Sequence, residues 1–273
     1  MAAPLDLANT IGTNVSGVVV VVLVDYLRQH RGWGWMRLMA GSVGLKNVPG
    51  LLFSKVMGSG HGGGFSIRPS ASHQGLICRF SNIDSAMKFL RGPQVNAMRE
   101  HARESWSGLL AVTSSRGAWD QSAWPLTDEL SRKYGDVLSG EKTRPLAVLT
   151  RASIVPSKTM SFWRYAPAAQ ADLDQAKGCL LAMGLGEIPL VRQCTFSLWE
   201  DKQAMRDYAF QGAHQTAIAA SYKNEFFSES LFVHMQVLGM SGQWMGKDFG
   251  DDFHFGAVAA NSSKLLQREA VDA

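Results

Sequence analysis

Val56-Met57-Gly58-Ser59-Gly60 is answered by Ala182-Met183-Gly184-Leu185-Gly186, an interval of about 126 residues that marks a chain built twice. Working outward from this pair, further matches keep the same order. The apolar run Val18 to Val24 is answered by Leu146 to Ala152, and Trp35 by Trp163. Phe80-Ser81 is matched by Phe196-Ser197, Ala86-Met87 by Ala204-Met205, Gly92 by Gly212, and Gly117 with Trp119 by Gly242 with Trp244. A single dipeptide match carries no weight. An unbroken series at nearly one spacing predicts duplication.

The second copy shows what the unit is. Leu146 to Val155 is rich in β-branched residues and stops at Pro156, as a strand does. Ser157 is placed to cap a following helix that carries Phe162, Trp163 and Tyr165. Two strands are expected near Cys179 to Leu185 and Val191 to Leu198, then a helix from Glu200 to Asn224 interrupted at Gly212, then a strand from Ser230 to Leu238. This order predicts an α+β fold, a duplicated ferredoxin-like unit of the dimeric α/β barrel type. Its antiparallel sheets pair, its helices lie outside, and an apolar cavity is left between the sheets or between a sheet and its helices. The expected organisation is an N-terminal half over 15–119, a polar linker over 120–144, a C-terminal half over 145–246 and a tail over 247–273. Gly60 to Ser72, rich in Gly and Ser, has no counterpart in the second copy and predicts a mobile flap.

Composition narrows the function classes. With 273 residues and 46% hydrophobic content the chain can bury a large core. The run Val15 to Val24 is broken by Ser16 and Gly17 and stopped by Asp25, short of the roughly 20 residues a bilayer span needs. No secretory leader pattern is read, so the cytoplasm is the expected location. Cys78, Cys179 and Cys194 lie far apart, which argues against a disulfide framework or zinc knuckle. A dispersed net charge of +4 without a basic run argues against nucleic acid and leaves an acidic electron carrier or a membrane face as partners. Eight Trp and twelve Met suit a wide apolar cavity, although core packing uses the same residues.

Duplication supplies an internal control, because a residue absent from its twin is not required by the fold. Aligned on Gly92 and Gly212, His214 stands opposite Gln94, with Ala213, Ala217 and Ile218 around it. Such small neighbours leave room for a flat cofactor at the imidazole; the alternative is a partly exposed helical histidine. His101, opposite Ser221, is the rival, with Arg103 and Glu104 beside it suggesting a solvated helix face. His61 and His73 flank the flap, and His234 alternates within a strand. Gly58 to Gly64 resembles a phosphate cradle but lacks the Lys-Ser/Thr pair and the helix that such a loop needs. Arg68 is the most useful polar group of the flap. No Ser-His-Asp order, HExxH or paired-carboxylate motif occurs, and Glu187 beside Pro189 reads as structural.

Several stretches together resemble one family. They are Gly58 to Gly60 with Phe65 to Pro69, His101 to Trp106 with Thr113 to Trp119, Pro145 to Ala152 with Phe162-Trp163-Arg164, Gly184 to Trp199, and Gly212 with His214, Ala217 and Ile218. As an ordered set they resemble the spheroidene monooxygenase (carotenoid ketolase) family of purple phototrophic bacteria. The resemblance implies a haem-containing oxygenase that hydroxylates an acyclic carotenoid repeatedly at C2 to give a ketone, using molecular oxygen and reduced ferredoxin. It implies His214 as axial iron ligand, with Trp163, Ala217 and Ile218 lining the cofactor. Arg68, Arg164 and His101 are the implied catalytic candidates, and Arg192 is a further proton donor or propionate partner. A carotenoid is insoluble, so a peripheral contact with the inner or photosynthetic membrane is implied, and a homo-oligomer is compatible. Haem chemistry of another kind, such as aldoxime dehydration or peroxide breakdown, and a non-catalytic binding module remain the alternatives.

Overall fold

A computed structural model describes residues 17–126, 145–188 and 190–251. In the first half β1 (Val18–Tyr26), α1 (Arg31–Ala40), β2 (Leu51–Gly60), β3 (Pro69–Phe80), α2 (Ile83–Leu90), α3 (Pro93–Glu100) and β4 (Ala102–Gly117) follow the predicted order. The second half repeats it with β5 (Leu146–Ile154), α4 (Thr159–Phe162), α5 (Ala166–Asp174), β6 (Cys179–Ile188), β7 (Arg192–Trp199), α6 (Lys202–Ala209), α7 (Gly212–Lys223) and β8 (Phe227–Trp244). The strands run β4-β1-β3-β2-β6-β7-β5-β8, all antiparallel, and β4 pairs with β8 to close a barrel with helices outside. This is the duplicated α+β barrel that the repeat predicts.

The two seams between the halves explain the repeated glycines. At one seam Gly117 pairs with Leu231 and Gly242 with Trp106, positions exchanged by the duplication. Gly117 and Gly242 have φ of 94° and 104°, and a Cβ on either would overlap a facing carbonyl oxygen, that of Ser230 or of Ser105. At the other seam Gly58 pairs with Gly186, and Ser59 Oγ donates to the Gly184 carbonyl at 2.5 Å. The repeated glycines are therefore the places where backbone meets backbone.

β1 is buried on both faces. Val19, Val21 and Leu23 join the barrel interior with Trp106, Leu149, Phe196, Val233 and Met235, while Val18, Val20, Val22 and Val24 meet the helices of their own half. The interior is filled by side chains from both halves. Of the two places expected for a cavity, the one between the sheets is therefore closed, and the layer between a sheet and its helices remains.

One end of the barrel is shut by a charged network. Arg151 is fully buried; its Nε donates to Glu187 Oε1 at 3.2 Å, it pairs with Glu229, and its guanidinium lies 5.6 Å from the Trp119 ring. Trp119 Nε1 also donates to Glu187 Oε1, at 3.0 Å, and Lys55 Nζ reaches Asp120 at 2.5 Å and Glu187 at 2.9 Å. Burial works against ionising Glu229 and Asp120, but N–H donors and the facing cations outweigh it and hold both carboxyls below their ordinary values.

The structure also corrects details. Trp124, assigned to the linker, is buried and stacks on Trp119 at 6.0 Å, so residues 119–124 form a lid; residues 127–144 lie outside the described residues. The expected tail begins with β9 (Lys247–Asp251), paired with β8. Ser157 does not cap: it lies inside a short 3-10 turn ahead of α4. The flap is held rather than free, since His61 N–H donates to Arg68 O at 2.8 Å and Gly60 pairs with Pro69.

The register shifts the repeat as well. Val18 pairs with Phe80 as Leu146 pairs with Trp199, so the twin of Phe80 is Trp199 and not Phe196. Asn82 and Asp201 are matching N-caps, accepting from the N–H of Ser85 and Ala204 at 2.8 Å each. With Gly92 and Gln211 at the N-cap positions of the next helices, His214 stands opposite the fully buried Val95 rather than Gln94.

Gly242→Ala is expected to cost about 3 kcal/mol or more, or to prevent folding, because it combines left-handed strain with backbone overlap. Gly246→Ala, also left-handed at φ 75° but facing open space, is expected to cost only about 1 kcal/mol. Urea denaturation midpoints of the two variants check this.

Candidate functional site

Equivalent positions in the two halves are filled very differently. In the first helix layer Val18, Val20 and Val22 of β1 are fully buried, together with Leu76 and Cys78 of β3. Their counterparts in the second half are Leu146, Val148, Thr150, Thr195 and Ser197, and all but Ser197 are only half-buried. Among the described residues the first layer packs nineteen buried side chains into one cluster, whereas the second packs Leu173, Trp199 and Met205. The layer between the β5–β8 face and the helices α4 to α7 is thus less tightly packed than the first among the described residues.

Small and polar side chains floor this layer. Ala182 packs against its apolar cluster, and Gly184, two residues on along β6, lies on the same face. His234 of β8 is paired directly with Val148, so it faces the same layer. Its own alternation had left it without a role; only the strand register shows which helices it looks toward. Burial, with a smaller contribution from Lys202, holds its imidazole pKa below the ordinary 6.5.

His214 is on α7 in the roof, with Ala217 and Ile218 one turn further along the same face and both half-buried. Its ring lies 4.4 Å from Tyr208, which in turn stacks on Trp199 at 5.2 Å. Nδ1 is 3.3 Å from Ala209 O, and a carbonyl only accepts, so Nδ1 carries the proton and Nε2 keeps a lone pair. Burial pushes its pKa below 6.5 against the smaller pull of Ala209 O and Asp172, so the ring is neutral at pH 7. A neutral imidazole with its second nitrogen anchored to a carbonyl is the usual state of a metal-ligating histidine. The helix that presents it has no N-cap side chain of its own; Asp172 of α5 accepts from Ala213 N–H at 2.6 Å instead, close against Gly212.

Other expected site residues are not brought to His214. His101 stacks on Trp33 at 4.4 Å, meets His30 edge-on at 4.4 Å and donates from Nδ1 to Ala97 O at 2.7 Å, all within the first half. Arg164 is exposed, and Arg192 joins the barrel-end network, 3.5 Å from Asp120. Arg68 is exposed beside a concavity of about 310 Å³ in the first half. Trp163 is half-buried, its Nε1 donating to Leu190 O at 3.0 Å. Burial pushes the thiols of Cys78 and Cys194 up, so neither offers a thiolate at neutral pH. Among the described residues no three His, Cys, Asp or Glu side chains converge on one point. The flap does reach this layer: Gly64 and Phe65 lie so close over Gly184 that any Cβ there would strike their backbone.

Fold and geometry together define a duplicated α+β barrel protein whose second helix layer is more loosely packed than its first and carries one half-buried histidine on α7. No protein-family model matches the chain. It is 41% identical over 234 residues to the spheroidene monooxygenase of Rubrivivax gelatinosus, covering 85% of this chain and 87% of that one. It is 31% identical over 227 residues to the spheroidene monooxygenase of Rhodobacter capsulatus, covering 82% and 87%. The chain belongs to the spheroidene monooxygenase family. Among solved structures, an aldoxime dehydratase in complex with butyraldoxime shares the fold, with a TM-score of 0.52 and 8% identity over 81% of this chain and 79% of that one.

The neutral burial of His214 has a pH signature. Unfolded imidazole near 6.5 takes up a proton that the folded site resists, so this contribution to stability is complete above pH 6.5 and is lost as pH falls through the lowered folded value. Denaturation midpoints of the protein without cofactor are expected to fall between pH 7 and 5, with a shallower slope in His214→Gln.

Proposed function

We propose that the chain is a haem-dependent monooxygenase that oxidises an acyclic, spheroidene-like carotenoid at C2 to a hydroxy and then a keto product. The observation that carries this reading is the loosely packed helix layer of the second half with neutral His214 on α7 above it. The names of its relatives supply the substrate class.

The residues suit the group. His214, whose Nε2 keeps a free lone pair, would be the residue to hold the haem iron. Ala217 and Ile218 give a flat ring system close access to α7, and Trp163 borders the aromatic end of the layer. When bound, haem would supply the activation of molecular oxygen with electrons from reduced ferredoxin. Asp172 holds the N-terminus of α7 and so fixes the reach of His214. His234, neutral and facing the layer, is placed to hold or pass a proton, a role for which Arg68, Arg164 and Arg192 were the expected candidates. Val148, Leu146 and Phe232 give the floor the apolar surface that excludes water from a polyene.

Other haem chemistry on this scaffold and cofactor storage without turnover are separated by assay. The purified protein is expected to show a Soret band that is lost in His214→Ala and kept in His101→Ala. It is expected to convert spheroidene in the presence of reduced ferredoxin and oxygen. A colourless protein that takes up no haem contradicts the reading, and a haem protein that leaves spheroidene unchanged restricts it to cofactor binding.

A further inference from the structure

From Tyr26 to Ile83 the chain contains no acidic residue, yet it carries Arg28, Arg31, Arg37, Lys46, Lys55, Arg68 and Arg79. Lys55 is engaged by Asp120 and Glu187, and Arg37 is largely buried. Arg28, Arg31, Lys46 and Arg68 are exposed and form no ion pair among the described residues. A modest net charge of +4 therefore hides a strongly cationic surface on one segment.

The same segment exposes large apolar side chains. Trp35, Met36 and Met39 lie on one side of α1, 42%, 67% and 82% exposed, and Val43 in the turn after it is 65% exposed. The opposite side of α1 faces the sheet: a Cβ on Gly34 would strike Tyr26, and one on Gly58 would touch Leu38. Arg31, at the start of α1, and Arg68, in the flap, line the same concavity of about 310 Å³ with Arg103, His61 and His73. Arg103 is paired with buried Asp25, so Arg31 and Arg68 supply the uncompensated charge. Beside Arg68, Ile67 is 66% exposed.

We propose that α1, the turn after it and the flap tip form a docking face for an anionic lipid bilayer, with a lipid phosphate taken between Arg31 and Arg68. Trp, Met and Ile side chains enter the boundary between headgroup and acyl chain, and arginine and lysine meet the phosphates. A second copy of this chain is a poorer occupant, because a two-fold contact through this face would set one cationic surface, with Arg28, Arg31 and Lys46 exposed, against another. The flap touches both places: Ile67 and Arg68 at the docking face, Gly64 and Phe65 over Gly184 at the edge of the second helix layer. A carotenoid leaving the bilayer would thus meet the layer that we propose oxidises it. Only this last step rests on the haem reading; docking itself does not require haem or turnover.

Co-sedimentation of the full chain with sucrose-loaded vesicles tests the proposal. Binding is expected to phosphatidylcholine vesicles containing phosphatidylglycerol, and much less to phosphatidylcholine alone. Met36→Asp with Met39→Asp is expected to lower the partition coefficient roughly tenfold or more. Arg31→Gln is expected to lower it roughly fivefold, and Met160→Asp, an exposed methionine of the second half, to leave it unchanged. Equal binding to both vesicle types, no binding to either, or parental binding by the double variant would overturn it. So would a dimer in sedimentation equilibrium that the double variant dissociates, which assigns the face to a second copy. A chain that takes up haem but ignores anionic vesicles overturns this proposal alone; one that binds them without haem supports it.

Discussion

Backbone lies against backbone where the two halves meet, and the rest of the molecule follows from that closeness. Gly117 faces Ser230 O and Gly242 faces Ser105 O, with φ values that favour glycine at both. A side chain at either place would open the β4–β8 seam, and an open seam would leave two sheet edges unpaired. Closing the barrel in this way brings the inner faces of both halves together around one core. With that core shared, the two halves are free to differ only in the helix layers outside it.

The two layers then diverged. Val20 and Val148 are twins on matching strands, yet one is sealed beneath α2 and α3 and the other is half-open beneath α4 to α7. Val95 and His214 are twins on matching helices, and a buried apolar residue in one half is an imidazole in the other. The first layer therefore secures the fold, and the second gives up packing for space and polarity. The flap is inserted in the first half and spans to the second, which joins the cationic side of the molecule to the open layer.

Much of this was legible in the sequence, and what was not has physical causes. The Met-Gly-Xaa-Gly pair and the Gly-Xaa-Trp pair marked the seams because close backbone approach admits little besides glycine. His214 stood out because its twin lacks an imidazole, even though the twin proved to be Val95. The slip arose at the glycines themselves: Gly92 is the N-cap residue of its helix, whereas Gly212 is the first helical residue after the N-cap Gln211, so matching glycine to glycine moves the alignment by one. Trp124 looked like linker because its surroundings are polar, but a tryptophan beside Trp119 had a core to enter. His234 was hidden because alternation tells that a strand has two faces, not which layer each one meets.

The central claim is that the second helix layer, and not the barrel interior or the first layer, holds iron through His214. Anomalous diffraction at the iron edge from crystals of the haem-loaded protein tests this most directly. The account predicts a single peak per chain between the β5–β8 face and α7, within bonding distance of His214 Nε2. A peak beside His101 and Trp33 in the first half, or one bonded to a residue other than His214, would contradict it.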